Sequence, residues 1–459
     1  MYIYYAVKHD IRIDLCTIIL SEISMIWKQV ITNNKIKTMF TPNTGKKSSS
    51  HTTVILILFF TVFTFPYSSL AQEIDLLLKG GHVIDAKNNI DTPMDVAISE
   101  GKIVEVATNI SEKNAKKVID ATGLYVTPGL IDPHTHVFVG SNDGFANGFS
   151  SVSPDDITLK AGITTVVDAG TSGWRNFPVF KKNVIDRSKT RVLSFLNIAG
   201  SGMTGYPSEE NIGDMDARMT ALVIEQFPDI IVGVKIGHYR GADWAPFDRA
   251  IEAGRIADVP LFVECHLPLL PLEGILDRLR PGDIFSHTFC SASDRTCILD
   301  EAGKIRLSVI EAKGKGVRFD VGHGGAMFHF DIAVPAMEQG LLPDSFGSDL
   351  HRYSMNSGMK NMLNIMSKYL NMGMALEDIV FRATWNTATS IKREDLGHLS
   401  EGAVADVVVL NVKEGNFGFI DTRGNKMTGN RKLEAELTLR EGKVVWDLNG
   451  LAAQEWTKK

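Results

Sequence analysis

The sequence predicts an α/β fold: a (β/α)8 TIM-type barrel inserted into a small β-sandwich domain that both chain ends build together. Three observations predict it. Between residues 129 and 391 eight apolar, strand-like runs recur roughly every 20 to 40 residues, the length of a βα unit. The stretches before and after that region share another style, short strands broken by Gly, Asn and Asp turns. Side chains of metal-ligand type also stand at the ends of five of the eight runs, the rim where barrel enzymes assemble their sites.

Residues 1–71 read as a targeting region. The apolar run 54–65 follows Lys46 and Lys47, precedes Pro66 and leads to Ser69-Leu70-Ala71, a small-x-small pattern before Gln72. That is the layout of a secretory signal peptide cleaved after Ala71, and the run is short for a spanning helix. Met39 would give a signal of normal length, so 1–38 reads as an upstream extension or a wrongly chosen start. The expectation is export, to the periplasm or outside the cell, with no stable membrane insertion once the signal is gone; an uncleaved anchor is the alternative.

The 459 residues are 44% hydrophobic and 22% charged, ordinary globular composition. A formal net charge of −6 without a basic cluster argues against a nucleic-acid partner and leaves a small-molecule substrate, with a homo-oligomer compatible. The four cysteines, Cys16, Cys265, Cys290 and Cys297, show no CxxC spacing and so no zinc knuckle. Cys290 and Cys297 are close enough in sequence to bridge in an oxidising compartment.

The small β domain takes 73–128 and 397–459. Its strands are expected at 74–78, 82–84, 94–98 and 102–106, with turns at Gly80-Gly81, Asn88-Asn89 and Gly101, then at 405–410, 435–440 and 443–446. The barrel takes 129–396. Its strands centre on 130–132, 164–169, 192–198, 230–236, 260–265, 283–287, 317–321 and 344–349.

Alternation along these strands places the unusual polar residues. The first ends in His134-Thr135-His136, so both imidazoles can point into the barrel mouth and share a metal. In the fourth, Ile231, Gly233 and Lys235 face inward, with Val232, Val234 and Ile236 against the helices. A buried charged lysine is costly and has two natural resolutions, an inward carboxylate partner or conversion by carbon dioxide to an anionic carbamate. In the fifth, His266 shares the inward face with Glu264 and Phe262, and Cys265 faces the helices. The sixth ends in His287 and the eighth in Asp349. Candidates for substrate contact on the same rim are Asn197, His323 and His351, with His238 and Met327 beside them.

Taken together, these residues resemble the amidohydrolase superfamily, metal-dependent barrel enzymes that include dihydroorotase, hydantoinase and urease. The resemblance spans residues 74–446. It rests on the run from Pro128 to His136 containing Asp132 and the HxH pair, on Lys235, His266, His287 and Asp349, and on Gly397-His398-Leu399 with Gly402-Ala403-Val404-Ala405-Asp406. Within the superfamily the chain is most similar to the predicted amidohydrolase/deacetylase metallohydrolases, through Asp168-Ala169-Gly170, Phe195-Leu196-Asn197, Val232-Gly233-Val234-Lys235 and Asp320-Val321-Gly322-His323-Gly324.

The resemblance implies two divalent ions, zinc being the expected one. His134 and His136 would bind the more buried ion, His266 and His287 the more exposed, and an N-carboxylated Lys235 would bridge them. Asp349 would bind the buried ion and act as acid/base. A bridging hydroxide would attack an amide or ester carbonyl, in a deacetylase of a small acylated organic acid or amino acid. The alternatives are a cyclic amide hydrolase and, more remotely, a non-catalytic binding protein on the same barrel. Two positions depart from relatives. Phe138 stands where dihydroorotases carry an arginine that grips the substrate carboxylate, which removes the dihydroorotate anchor, and Thr387 stands where many relatives have proline.

Overall fold

The structure is a computed structural model and describes residues 73–457, apart from 206–207, 265–268 and 292–296. The signal-like run and its cleavage pattern, Cys16, Cys265 and His266 lie outside the described residues.

The N-terminal part gives β1 (Leu76–Asp85), β2 (Ile90–Ser99), β3 (Lys102–Ala107), β4 (Val118–Asp120) and β5 (Tyr125–Pro128). Then come β6 (Leu130–Thr135), a short rim strand β7 (Val139–Asn142), β8 (Ile163–Gly173), β9 (Arg191–Asn197), β10 (Ile231–Ile236), β11 (Leu261–Glu264), β12 (Ile284–Ser286) and β13 (Arg318–Phe319). The chain closes with β14 (Val407–Ile420), β15 (Lys426–Arg440) and β16 (Lys443–Asp447).

The two ends form one sheet in the order β16-β15-β14-β5-β1-β2-β3, with β4 beside β1. Antiparallel pairing of β14 with β5 joins them. The sheet curls on itself: a Cβ on Gly101, at the β2–β3 turn, would lie 3.0 Å from the Glu441 carbonyl at the β15–β16 turn. Leu78, Val96 and Ile98 from one end thereby share a core with Val407, Leu437 and Leu439 from the other, the packing expected of a sandwich.

Gly80-Gly81 is not the expected turn. It is a bulge inside β1, where the register to β2 shifts between Leu78 and Gly81. A side chain at Gly81 would strike Val126 of β5, so the glycine lets the two strands approach. The last hairpin is longer than expected, continuing through residues 411–434, where Gly415, Gly418 and Gly429 interrupt a sparse set of apolar residues. This extension docks on the helix Met362–Asn371, where Asn371 donates to the Arg431 carbonyl and Leu433 N–H donates to Ser367 Oγ.

In the barrel the parallel order is β6-β8-β9-β10-β11-β12-β13. The eighth run forms no regular strand but closes the ring through two parallel bridges, Ser345 to Asp320 and Leu350 to Thr135. Inside, Ile131, Val167, Phe195, Val232 and Phe262 pack as a solid core floored by Ile391 and Leu396. The alternation expected for β10 fails at its start. A register shift between Ile231 and Gly233 sends Val232 inward and Ile231 outward, and the strand recovers in time to turn Lys235 in.

Among the crossover helices, Ala217–Gln226 shows the local logic. The Asp216 carboxylate accepts from the Arg218 and Met219 N–H groups as an N-cap, and Ala221 and Ile224 face the core. Thr387 lies in the helix Trp385–Ser390 and donates its hydroxyl to the Arg382 carbonyl. Cys290 and Cys297 are both buried and no bridge joins them. No helix among the described residues is long and apolar enough to cross a membrane.

Candidate metal centre

β6 delivers His134 and His136 to the mouth of the barrel. His134 Nδ1 lies 3.0 Å from Ser286 Oγ, which donates to Asp320 at 2.7 Å, and His136 Nδ1 lies 3.0 Å from Thr171 Oγ1. His287 Nδ1 meets the Gly322 carbonyl. With each Nδ1 engaged from behind, each Nε2 faces the common centre, the arrangement that orients ligating imidazoles. Nε2 of His134 is 3.1 Å from Glu264 Oε1 and 3.5 Å from Asp349 Oδ1; Nε2 of His136 is 3.1 Å from the same Asp349 oxygen.

The chain turns sharply where it presents these groups. His287, Asp349 and His238 adopt left-handed φ values of 57°, 51° and 57°. Each such residue costs on the order of 1–3 kcal/mol, a cost typically concentrated at functional sites.

Lys235 is fully buried at the end of β10. Its Nζ donates to the Ala169 carbonyl at 2.7 Å and pairs with Glu264 Oε1. The stem passes over Gly170, where a Cβ would lie 2.3 Å from Lys235 Cγ. Of the two resolutions open to a buried lysine, the structure displays the carboxylate partner. Glu264 was not among the site residues expected from sequence. The signal was there: alternation had already put it on the inward face beside His266.

Electrostatics tie these groups together. Burial opposes charge on Glu264 and Asp349, yet neighbouring basic side chains prevail and hold both carboxylates well below the usual range: Lys235 and His238 for Glu264, His351 and His134 for Asp349. Burial also opposes charge on His134, but Asp349, Asp320 and Glu264 lift it to about 10. Burial, with Lys235 and His134 nearby, pushes His136 down to about 4. The two low-lying carboxylates thus favour positive charge at the centre of the cluster.

Metal binding can be tested on these donors. His134 Nε2 and Glu264 Oε2 are buried without a hydrogen-bond partner. Two overlapping sets, His134 with His287 and Asp349, and His134 with His136 and Glu264, keep their ligand atoms within 4.8 Å of one another. Orphaned, convergent N and O donors around an excess of carboxylate charge fit divalent cations.

A cavity of about 360 Å3 opens onto the cluster, walled by Phe145, Met203, Met327 and Tyr353, with His238 and His351 on its rim. Asn197 and His323 turn elsewhere. Asn197 donates to the Gly170 carbonyl and to Glu209, each at 3.0 Å. His323 Nε2 lies 2.6 Å from Lys368 Nζ, with its ring stacked on Phe328 at 4.6 Å. Phe138 is buried against Phe180 in the outer core.

Comparison with known proteins adds to this geometry. Two family models, both described as amidohydrolase family, match residues 117–183 and 329–445. A deacetylase of Brucella anthropi is 30% identical over 75% of this chain and 86% of its own. A deacetylase of Agrobacterium fabrum is 31% identical over 71% and 80%. A crystal structure of an adenine deaminase superposes with a TM-score of 0.74 at 29% identity, covering 82% of this chain and 100% of the other. One of a dihydroorotase gives 0.72 at 27%, covering 81% and 99%.

Proposed function

We propose, for a chain that belongs to the amidohydrolase superfamily and is a metal-dependent hydrolase, that it removes an acetyl or related acyl group from a small organic acid or amino acid at a two-metal centre. The observation that carries this reading is the pair of overlapping donor sets sharing His134. Relatives named deacetylase support the acyl preference. The dihydroorotate form of the cyclic alternative loses its anchor, because Phe138 puts a core side chain where dihydroorotases grip a carboxylate.

In this reading His134, His136 and Asp349 would hold one ion and His287 with His266 the other, zinc in both cases, and Lys235 would contribute as a carbamate. The carbamate would form by addition of the Lys235 nitrogen to carbon dioxide with one proton released to water, replacing the pairing with Glu264. When bound, the ions would acidify a water and polarise the carbonyl it attacks. Asp349, held ionised, takes the proton of that water as attack begins and returns it to the leaving nitrogen or oxygen. Phe145, Met203 and Met327 supply an apolar wall to the cavity beside these groups.

Metal analysis of the purified protein, assayed on N-acetyl, O-acetyl and cyclic imide compounds, tests the proposal. Two equivalents of metal and release of free acetate are expected. Protein without bound metal, or turnover confined to cyclic imides, rejects it.

A further inference from the structure

His238 follows β10 by two residues, and its left-handed backbone carries the ring back over the cavity. Nδ1 lies 3.0 Å from Glu209 Oε2, and the other Glu209 oxygen accepts from Asn197 at 3.0 Å. Asn197 is itself fixed, since its oxygen accepts from Ala199 N–H at 2.9 Å and its amide also donates to Gly170. The ring is therefore held from behind through a chain of hydrogen bonds that begins on β9.

In front, Nε2 lies 3.3 Å from Glu264 Oε2, a buried oxygen that is itself 4.0 Å from His287 Nε2. One imidazole nitrogen thus stands at the junction of cavity and donor cluster. Both ring nitrogens face carboxylates. A second hollow of about 170 Å3, containing Glu210 and Arg240, shares Phe145, Met203 and His238 with the first. His238 therefore stands between the place of the reacting carbonyl and an outer recess.

We propose that His238 is a catalytic residue whose Nε2 donates a hydrogen bond to the oxygen of the scissile carbonyl as negative charge builds there, and that Glu209 and Asn197 are positioning residues for it. The inference rests on the hydrolytic reading above. A donor placed where charge develops, already oriented before reaction, acts mainly on the transition state. Losing one such donor typically costs about 10²–10³ in kcat.

The test uses metal-replete protein with 4-nitrophenyl acetate as substrate, and with two binding probes: methylphosphonate, a tetrahedral oxyanion, and planar acetate. His238→Ala is expected to keep its metal and melting temperature and to lose kcat by about 10²-fold or more with KM within about threefold. It should also bind methylphosphonate more weakly by a comparable factor while acetate affinity holds. His238→Gln, which restores a donor, should recover part of kcat, and Glu209→Ala should lower kcat less than His238→Ala.

Equal methylphosphonate affinity in wild type and His238→Ala overturns the proposal. So does a KM rise at unchanged kcat, or loss of metal from the variant. If wild-type protein hydrolyses no acyl compound yet shows the phosphonate difference, the deacylation reading fails and the oxyanion donor stands.

Discussion

In the terminal sheet the enclosed side chains are Leu78, Val96, Val407 and Leu437, each surrounded by apolar neighbours. At the barrel mouth the enclosed groups are His134, Lys235, Glu264 and His287. The sheet gains stability from burial itself. The mouth holds buried ionised groups, two orphaned polar atoms and three left-handed residues, all of which cost free energy without a ligand. One region is built for stability and the other for a bound cation, and the same chain carries the expense of the second on the surplus of the first.

That contrast breaks if removing a polar group from the mouth leaves function intact. Asp349→Asn is expected to keep its metal and lose turnover by about 10²–10⁴-fold, the typical worth of a positioned acid/base. Lys235→Ala should lose both metal and rate, with partial recovery in small carboxylic acids that can fill the bridge. Metal content by elemental analysis and initial rates check both; unchanged stoichiometry in Lys235→Ala removes the bridging role.

A matched pair of truncations sharpens the comparison. Leu437→Ala in the sheet and Phe262→Ala under His134 each delete a fully buried side chain, and each should cost about 2–5 kcal/mol. The Phe262 ring packs edge-on against His134 with centroids 5.0 Å apart, so its loss should also weaken metal affinity. Leu437→Ala should leave metal affinity and kcat as they are. Denaturant melts and metal titrations on both variants separate the two effects.

The two regions were also legible to different degrees. His134, His136, Lys235, His287 and Asp349 were readable because strand period and strand ends are local properties, and the chain brings these five together. Glu264 was visible on its inward face, but nothing local says which carboxylate answers a buried lysine. Asn197 and His323 lie off the cavity for the same reason: they engage Glu209 and Lys368, the latter 45 residues from His323. The two-residue reversal in β10 was hidden because an apolar run reads alike with or without a bulge. In the terminal sheet, alternation located the strands, whereas in the long β14–β15 extension the sparse apolar residues are interrupted by Gly415, Gly418 and Gly429 and give little period to read.

A smaller effect comes from Lys368, which lies behind the mouth and donates to the Gly358 carbonyl at 2.8 Å as well as meeting His323. Burial lowers its amine to about 7 against the opposing pull of Asp421, whereas an unfolded chain keeps it near roughly 10.4. Between those values the unfolded state binds a proton that the folded state does not. Stability should therefore rise with pH across that window, by up to about 1.4 kcal/mol per unit, and the burial cost should be fully felt below about 7. Urea melts of chelated protein from neutral to alkaline pH should show a steeper rise in wild type than in Lys368→Met. Parallel curves would mean that the amine stays charged when buried.

The smallest expected effect lies in the sheet and runs toward greater stability. The β2–β3 turn places Glu100 and Gly101 at its centre with φ values of 49° and 75°, and the β15–β16 turn repeats the pattern with Glu441 and Gly442 at 52° and 73°. Two successive left-handed residues define the tight hairpin turn that favours Asn-Gly, because asparagine tolerates that backbone and glutamate does so poorly. Glu100 contributes its backbone N–H to Asp75 at 2.7 Å, a bond that survives any change of side chain. Glu100→Asn should therefore raise stability by about 0.5–1 kcal/mol, without altering metal content or rate. Glu441 is the poorer target, since its side chain pairs with Arg440 at 2.6 Å. A gain in melting temperature with unchanged kinetics would show that the sheet can be improved independently of the mouth. A gain accompanied by lost activity would show that the two regions are linked through the curled sheet where these turns touch.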